Sequence, residues 1–222
     1  MNEFEISIQS LLGRNRFRRV QNCRVGIAGA GGLGSNCALN LVRSGFKNLR
    51  VVDFDTVNTS NLNRQFYWLG QVGEVKVKAL EHNLRLINPD LNFDGINKVI
   101  TSENISELFT DCDVLVEALD SAPAKKMFIT GCLALSKFVI AASGLAGFGN
   151  TDAVVVKKIS DRFFLVGDLR SEVNETNPPF APKVNIVAAK QADLVLEYII
   201  GTPSDQLDED ENFTTYSSKQ EL

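Results

Sequence analysis

Residues 23–35 read C-R-V-G-I-A-G-A-G-G-L-G-S, and this stretch decides the fold. Its apolar residues 25–28 predict a short buried strand, and a helix is predicted to begin at Leu33. The pattern G-x-G-x-x-G lies between them. Glycines in such a turn let the backbone approach an anion closely, while the free N–H groups of the helix point at it. The stretch therefore predicts a phosphate-binding turn, formed by Gly29, Gly31, Gly32 and Gly34.

An acidic residue follows the second predicted strand, residues 49–52. Asp53 lies about 20 residues past the glycine turn, where a carboxylate can accept hydrogen bonds from ribose hydroxyls. Strand, turn, helix and acid occur in the order that nucleotide binding requires. The same pattern serves dinucleotide cofactors and adenylate chemistry, so the nucleotide stays open at this point. A glycine turn kept only for tight strand-to-helix packing is the alternative.

The composition is that of a soluble globular protein. Of the 222 residues, 44% are hydrophobic and 23% charged, which fits one ordinary domain. No apolar run approaches the roughly 20 residues that span a bilayer, and the acidic N-terminus does not resemble a signal peptide. We therefore expect a cytoplasmic protein. The four cysteines contain no C-x-x-C pair, so we expect free buried thiols rather than disulfides or zinc ligands.

Charge divides the chain into two parts. We expect residues 1–201 to form the nucleotide-binding domain, and residues 202–222, with six acids and one lysine, to be a disordered tail. Near the N-terminus, five arginines within eleven residues form either a solvated helix face or a phosphate-reaching group. The near-neutral remainder lacks the basic footprint of a nucleic-acid-binding protein. These arginines are Arg14, Arg16, Arg18, Arg19 and Arg24.

Strand and helix patterns alternate through the first two thirds of the chain, which predicts parallel strands joined by helical crossovers. The fold class is therefore α/β, with a Rossmann-like, doubly wound, mainly parallel sheet and ligands at the carboxyl ends of its strands. The predicted elements are a helix over 73–87, a strand over 93–100, a short helix from Ser102, a strand from Val114 to Asp120, a helix over 124–135 and a strand over 138–142.

The pattern changes after residue 150. Residues 153–156 and 163–166 predict two antiparallel strands, because only a short turn and no helix-length crossover separates them. Residues 172–182 hold three of the six prolines and predict a mobile loop. A largely apolar helix is predicted over 184–200.

Two further motifs narrow the chemistry. Residues 53–65 read D-F-D-T-V-N-T-S-N-L-N-R-Q, and G-E-V-K follows at 73–76. A plain dinucleotide site has no use for the cations Arg64 and Lys76, whereas a triphosphate with bound magnesium needs cations for its oxygens and a hard oxygen ligand, such as Asp120, for the metal. This combination favours ATP over NAD. A pair of solvated surface cations is the alternative for Arg64 and Lys76.

Together these motifs resemble the adenylating domain of ubiquitin-activating-enzyme-like proteins, and most closely the short members of the ThiF family. The resemblance covers about residues 14–201. It implies that the glycine turn holds phosphates, that Asp53 binds ribose and that Asp120 binds Mg²⁺. The further ATP contacts implied are Asp55, Asn61, Arg64 and Lys76.

The resemblance also implies a homodimer, in which Arg14 or Arg16 of one subunit reaches the phosphates held by the other. The partner implied is a small ubiquitin-like sulfur carrier ending in Gly-Gly, of the ThiS type used in thiazole and thiamine synthesis. Its terminal carboxylate would be adenylated with release of pyrophosphate. The alternatives are a carrier of molybdopterin or natural-product synthesis, a non-catalytic nucleotide-binding adaptor and a nicotinamide-dependent oxidoreductase.

This chain departs from longer relatives at several positions. It lacks their zinc-binding C-x-x-C pairs, and no cysteine follows Cys132. Lys125 and Lys126 stand near a position where the family commonly has arginine, and Ser121 stands where many members have asparagine. The only histidine, His82, is expected to have a surface or packing role.

Overall fold

The computed structural model describes residues 1–201. Residues 202–222 lie outside the described part, and so does the predicted disorder of this acidic tail. Seven strands form one sheet in the order β3-β2-β1-β4-β5-β7-β6. The strands are β1 (Arg24–Ala28), β2 (Asn48–Val52), β3 (Asn92–Ile96), β4 (Val114–Glu117), β5 (Phe138–Ala142), β6 (Val155–Ser160) and β7 (Phe163–Gly167). The helices are α1 (Glu3–Leu12), α2 (Arg14–Asn22), α3 (Gly32–Arg43), α4 (Lys76–Arg85), α5 (Ile105–Phe109), α6 (Ala122–Ala134) and α7 (Ala181–Ile200).

Helices cover both faces of the sheet, so its central strands are mainly apolar. All residues of β4 and β5 are buried. One core cluster packs α3, α4 and α7 on one face, and a second packs α5 and α6 on the other. This is the doubly wound α/β architecture that the alternating pattern predicts.

The two strands after residue 150 form the predicted antiparallel hairpin, but only β6 runs against the rest of the sheet. The chain leaves β5, forms the outer strand β6 and returns through a short turn to place β7 between them. As a result β7 pairs parallel to β5. The sequence predicts the hairpin because its turn is local, whereas the neighbour of β7 depends on the fold.

Several predicted boundaries are wrong by a few residues. The helix predicted from residue 73 begins at Lys76, because backbone groups of Gly73, Glu74 and Lys76 bond to Asp55 and Val57. The strand predicted to reach Asp120 ends at Glu117. The helix predicted from Ser102 begins at Ile105, and the strand predicted over 93–100 ends at Ile96.

The order of the strands fixes the position of the site. The chain runs outward from β1 to β2 and β3 in one direction, and from β4 onward in the other. The crossovers on the two sides of β1 and β4 therefore diverge, which leaves a crevice at the carboxyl ends of these strands.

Among the described helices, none has the length and apolar character needed to cross a membrane.

Candidate nucleotide-binding site

The glycine turn follows β1 directly and packs against the segment that follows β4. Gly29 has φ +101°, and a Cβ there would lie 2.6 Å from the carbonyl oxygen of Ala118. A Cβ on Gly34 would lie 1.9 Å from the carbonyl oxygen of Gly29. Both contacts are with backbone atoms that cannot move aside, so these two positions require glycine. The close packing brings the N-terminus of α3 to the crevice, where its free N–H groups suit phosphate.

Asp53 follows the last residue of β2, as predicted, and its carboxylate organises the backbone around it. One carboxylate oxygen accepts a hydrogen bond from the N–H of Ala30 at 2.6 Å, and the other accepts one from the N–H of Asp55 at 2.8 Å. An ionised carboxylate offers about four lone-pair sites, so two remain for ribose hydroxyls. The side chain is partly exposed at the crevice.

The motifs that contain Asp55 and Lys76 form one unit. Thr56 and Val75 pair as an antiparallel bridge, and the N–H of Lys76 bonds the carbonyl oxygen of Asp55 at 3.0 Å. The Lys76 Nζ donates to Asp55 Oδ2 at 2.8 Å, and only 7% of the lysine side chain is exposed against 46% of the aspartate side chain. Lys76 is thus paired with Asp55 in the described chain. The Asp55 carboxylate is nevertheless partly exposed, so a ligand can reach it.

Arg64 lies beside the glycine turn. A Cβ on Gly32 would be 3.4 Å from Arg64 Cγ. The carbonyl oxygen of Arg64 accepts a hydrogen bond from Asn36 Nδ2 at 2.8 Å, which ties the loop to α3. Its Nη1 donates to Asn63 Oδ1 at 2.7 Å. Partial burial lowers the pKa of the guanidinium from its ordinary value, yet the group stays charged at neutral pH because that value is very high.

Asn61 has a structural contact within the same loop. Its Oδ1 accepts a hydrogen bond from the N–H of Asn58 at 3.1 Å and so caps the short 3₁₀ turn Thr59–Asn61. Its carbonyl oxygen accepts the N–H groups of Arg64 and Gln65. Asn61 therefore shapes the segment that presents Arg64, and direct contact with ATP stays a prediction.

Asp120 lies in an exposed bend three residues past the end of β4. The next residue, Ser121, begins α6 as its cap, since its side chain accepts from the N–H of Ala124. Among residues 1–201 no group of three or more His, Cys, Asp or Glu side chains could hold a metal by itself. A single accessible carboxylate fits Mg²⁺, which is commonly held by one or two carboxylates together with substrate phosphates and water.

Lys125 bonds inside the protein. Its Nζ donates to both carboxylate oxygens of Glu117, at 2.9 and 3.1 Å. The Glu117 side chain is fully buried, and burial raises the pKa of its carboxyl group. The sequence offers one signal for this pair, an acid within the apolar run Val114–Leu119.

Tyr67 joins the site without any signal in the sequence pattern, and Gln65, the last residue of the motif at 53–65, lies there as well. The hydroxyl of Tyr67 donates to the carbonyl oxygen of Ala30 at 2.8 Å, and burial raises the pKa of this phenol above its ordinary value. The buried side chain of Gln65 lies near the turn, with its Nε2 3.8 Å from where a Cβ on Gly31 would be. Within the described chain, its Oε1 has no hydrogen-bond partner.

Arg14 and Arg16 are not brought to the glycine turn of their own chain. The helices α1 and α2 contact the amino edge of the sheet, where Glu5 pairs with Lys47 and Gln21 Nε2 donates to the carbonyl oxygen of Gly45. Arg14 is exposed at the turn between these two helices. A contact of Arg14 or Arg16 with phosphate held by a second copy of the chain stays a prediction.

All four cysteines are free and buried, as the spacing predicts. Burial raises the pKa of each thiol to about 12. A thiolate is the nucleophilic form of cysteine, so none of the four is poised for thiol chemistry at neutral pH.

This chain has relatives among known proteins. SUMO-activating enzyme subunit 2 of Dictyostelium discoideum is 34% identical over 165 residues, which are 73% of this chain and 25% of that protein. Ubiquitin-like modifier-activating enzyme 5 of Gallus gallus is 34% identical over 128 residues, which are 52% of this chain and 32% of that protein. The chain thus spans a third or less of these relatives.

Among solved structures, the Escherichia coli tRNA N6-threonylcarbamoyladenosine dehydratase TcdA, in complex with AMP, superimposes with a TM-score of 0.80 at 18% identity. The match covers 90% of this chain and 95% of TcdA. Escherichia coli MccB with ATP gives a TM-score of 0.67 at 21% identity, over 90% of this chain and 64% of MccB. These likenesses establish the fold. The model of the ThiF family matches residues 5–221, and the chain therefore belongs to the ThiF family.

Proposed function

We propose that this protein is an ATP- and Mg²⁺-dependent adenylyltransferase that activates the C-terminal glycine carboxylate of a small ubiquitin-like sulfur carrier of the ThiS type. The observation that carries the proposal is the convergence of the glycine turn, Asp53, Arg64 and the Asp120 bend on one crevice. Membership of the ThiF family supports the adenylating chemistry. The names of relatives that activate SUMO and other ubiquitin-like modifiers support the class of partner.

The chemistry needs no general base. A C-terminal carboxylate is ionised at neutral pH, so one of its oxygens can attack the α-phosphorus of ATP directly. The new bond joins that oxygen to the α-phosphorus, the bond to the β-phosphate bridging oxygen breaks, and pyrophosphate leaves with the electron pair. The products are an acyl-adenylate and pyrophosphate. The exposed position of His82 agrees with a mechanism that does not use it.

The chain's own groups supply orientation and charge. In this mechanism the N–H groups at the start of α3 and the Arg64 guanidinium offset the charge that develops on the phosphates. Asp53 holds the ribose, and the Asp55–Lys76 pair fixes the segment beside it. Asp120 would hold Mg²⁺, which when bound supplies positive charge to the phosphate oxygens. Arg14 or Arg16 of a second subunit would complete the site in a homodimer.

The decisive experiment is isotope exchange between pyrophosphate and ATP with the purified full-length chain. We expect exchange only when a ThiS-type carrier ending in Gly-Gly is added, and none when the terminal glycine is removed. Carriers of molybdopterin and natural-product pathways test the alternative substrates. ATP binding without exchange for any carrier would contradict the proposal and favour a nucleotide-binding adaptor.

Two variants test the assignment of residues in the same assay. Asp120→Ala is expected to abolish exchange because it removes the metal ligand. Arg64→Ala is expected to lower turnover by a factor on the order of 10² to 10³, as the loss of one charge partner in the transition state does. The matched controls are the exposed Asp90→Ala and Arg43→Ala, which lie at the amino edge and at the end of α3. Wild-type exchange by Asp120→Ala would show that its carboxylate does not hold the metal.

A further inference from the structure

Glu117 is a buried carboxylate that holds together several segments around the crevice. Its side chain is 0% exposed. Oε1 accepts from the N–H of Leu119 at 2.7 Å and from Lys125 Nζ at 2.9 Å. Oε2 accepts from the N–H of Ala142 at 3.3 Å, and the Glu117 carbonyl oxygen accepts from Gln191 Nε2 at 3.0 Å. One residue thus connects β4, the bend after it, the end of β5, α6 and α7.

Hydrogen bonds of Lys125 and Glu117 hold both ends of the bend that carries Asp120. Glu117 fixes the N–H of Leu119 on one side of Asp120. On the other side, Ser121 caps α6 and its carbonyl oxygen accepts the N–H of Lys125 at 2.9 Å. Because the Lys125 side chain returns to Glu117, both flanks of Asp120 are tied to the same ion pair.

One observation and one general argument count against other roles for this pair. The Lys125 Nζ lies within hydrogen-bond distance of both Glu117 oxygens and of the Ala142 carbonyl oxygen, so its donors are already used within the protein. Stability alone is a weak reason for such a pair, since apolar residues of similar volume often replace a buried ion pair without loss.

We propose that the Glu117–Lys125 ion pair is a positioning device that holds the Asp120 carboxylate where it binds the divalent cation of the ATP complex, although the pair contacts neither ATP nor the cation. This inference rests on the proposed assignment of Asp120 as the metal ligand. Partners that orient a metal ligand commonly change metal affinity by about 10- to 100-fold when they are removed. The pair would therefore set the Mg²⁺ requirement of the protein.

The test is calorimetric titration of the full-length protein with ATP, in EDTA and over a series of Mg²⁺ concentrations. Lys125→Met is expected to raise the Mg²⁺ concentration for half-maximal ATP affinity by about tenfold or more. ATP affinity in EDTA is expected to stay at the wild-type value. Lys125→Arg, which keeps the charge, is expected to restore the wild-type Mg²⁺ dependence. Lys126→Met is the matched control one residue away on α6.

The double variant Glu117→Gln, Lys125→Met covers the case in which Lys125→Met does not fold. It leaves no unpaired buried charge, and the amide can still accept from the N–H of Leu119. We expect it to show the same shift in Mg²⁺ dependence. A folded variant with the wild-type Mg²⁺ dependence would overturn the inference, and so would an equal loss of ATP affinity with and without Mg²⁺.

This readout does not require a carrier protein, so it separates the inference from the proposed function. A wild-type protein that binds ATP in a Mg²⁺-dependent way but exchanges no pyrophosphate would contradict the adenylation and leave the test of the pair intact. A wild-type ATP affinity that is independent of Mg²⁺ would overturn the inference itself.

Discussion

At the scale of single residues, Gly34 shows how strictly the site constrains the sequence. A Cβ at this position would lie 1.9 Å from the carbonyl oxygen of Gly29, a backbone atom of the glycine turn. Gly34→Ala is therefore expected to lower the free energy of unfolding by about 1–3 kcal/mol or more, as overpacking does, and to weaken ATP binding. Urea denaturation and calorimetric ATP titration measure the two effects.

Gly70→Ala is the matched control for this change, because a Cβ there meets no atom within 4 Å. We expect it to leave both ATP affinity and the free energy of unfolding close to the wild-type values. If Gly34→Ala bound ATP as the wild type does, the turn would not approach the nucleotide as closely as proposed.

The cysteines give a second prediction at this scale, which concerns pH. Burial raises the pKa of Cys37 from 9.0 to about 12. Above pH 9 this thiol ionises in the unfolded chain but not in the folded one, so its contribution to stability is complete below pH 9 and is lost as the pH rises towards 12. While only the unfolded state ionises, each such thiol lowers the free energy of unfolding by about 1.4 kcal/mol per pH unit.

The measurement is urea denaturation between pH 8 and pH 11, with Cys37→Ala as the comparison. The variant is expected to be less stable at pH 8 but to lose stability less steeply as the pH rises. Equal slopes for the two proteins would contradict the raised pKa.

The same burial predicts that no reducible conjugate with a carrier forms at neutral pH, which mass spectrometry of the reaction mixture checks.

At the scale of elements, the glycine turn, the Asp53 strand end and α4 act as one assembly because of contacts through Ala30 and Tyr67. The N–H of Ala30 donates to Asp53, and its carbonyl oxygen accepts from the Tyr67 hydroxyl. The same hydroxyl lies 3.4 Å from the carbonyl oxygen of Lys76 at the start of α4. The peptide groups before and after Ala30 are thus both held in place, which keeps the turn in the shape proposed to bind phosphate.

Tyr67→Phe removes this hydroxyl and keeps the ring. We expect the free energy of unfolding to fall by about 0.5–1.5 kcal/mol, the usual contribution of one hydrogen bond, and ATP affinity to fall with it. Tyr198→Phe on α7 is the control, since half of that side chain is exposed. Lower stability with unchanged ATP affinity would mean that Tyr67 supports the fold and not the nucleotide site. Urea denaturation and ATP titration distinguish these outcomes.

At the scale of the whole molecule, the proposed homodimer predicts that activity depends on assembly. Arg14 lies at the exposed turn between α1 and α2, whereas the glycine turn lies at the carboxyl edge of the sheet. In a symmetric dimer each site would be completed by the other subunit's arginines. The double variant Arg14→Ala, Arg16→Ala and the single variant Asp120→Ala are each expected to be inactive alone.

Mixing the two proteins is expected to recover part of the carrier-dependent pyrophosphate exchange, because one site of each mixed dimer is then complete. The control is a mixture under conditions in which subunits do not exchange. No recovery, with subunit exchange demonstrated by mass spectrometry, would place both arginines outside the site.

The sequence by itself determines the elements and the order of the nucleotide-binding motifs. Local periodicity and turn chemistry predict β1, β2 and β5 closely, since apolar runs of this length bounded by glycine or polar residues have few other structures. The glycine turn and Asp53 are recognisable for the same reason, because their spacing reflects one continuous β-α-β unit. Their binding roles stay predictions.

Only the tertiary structure decides which segments meet across the crevice. The pairings of Glu117 with Lys125 and of Lys76 with Asp55, and the bond from Tyr67 to Ala30, join residues on different elements. The parallel partner of β7 and the end of β4 depend on the sheet in the same way. These features arise from packing between distant parts of the chain. A buried polar group needs a hydrogen-bond partner, and the fold decides which partner is near enough. No local pattern in the sequence encodes which partner that is.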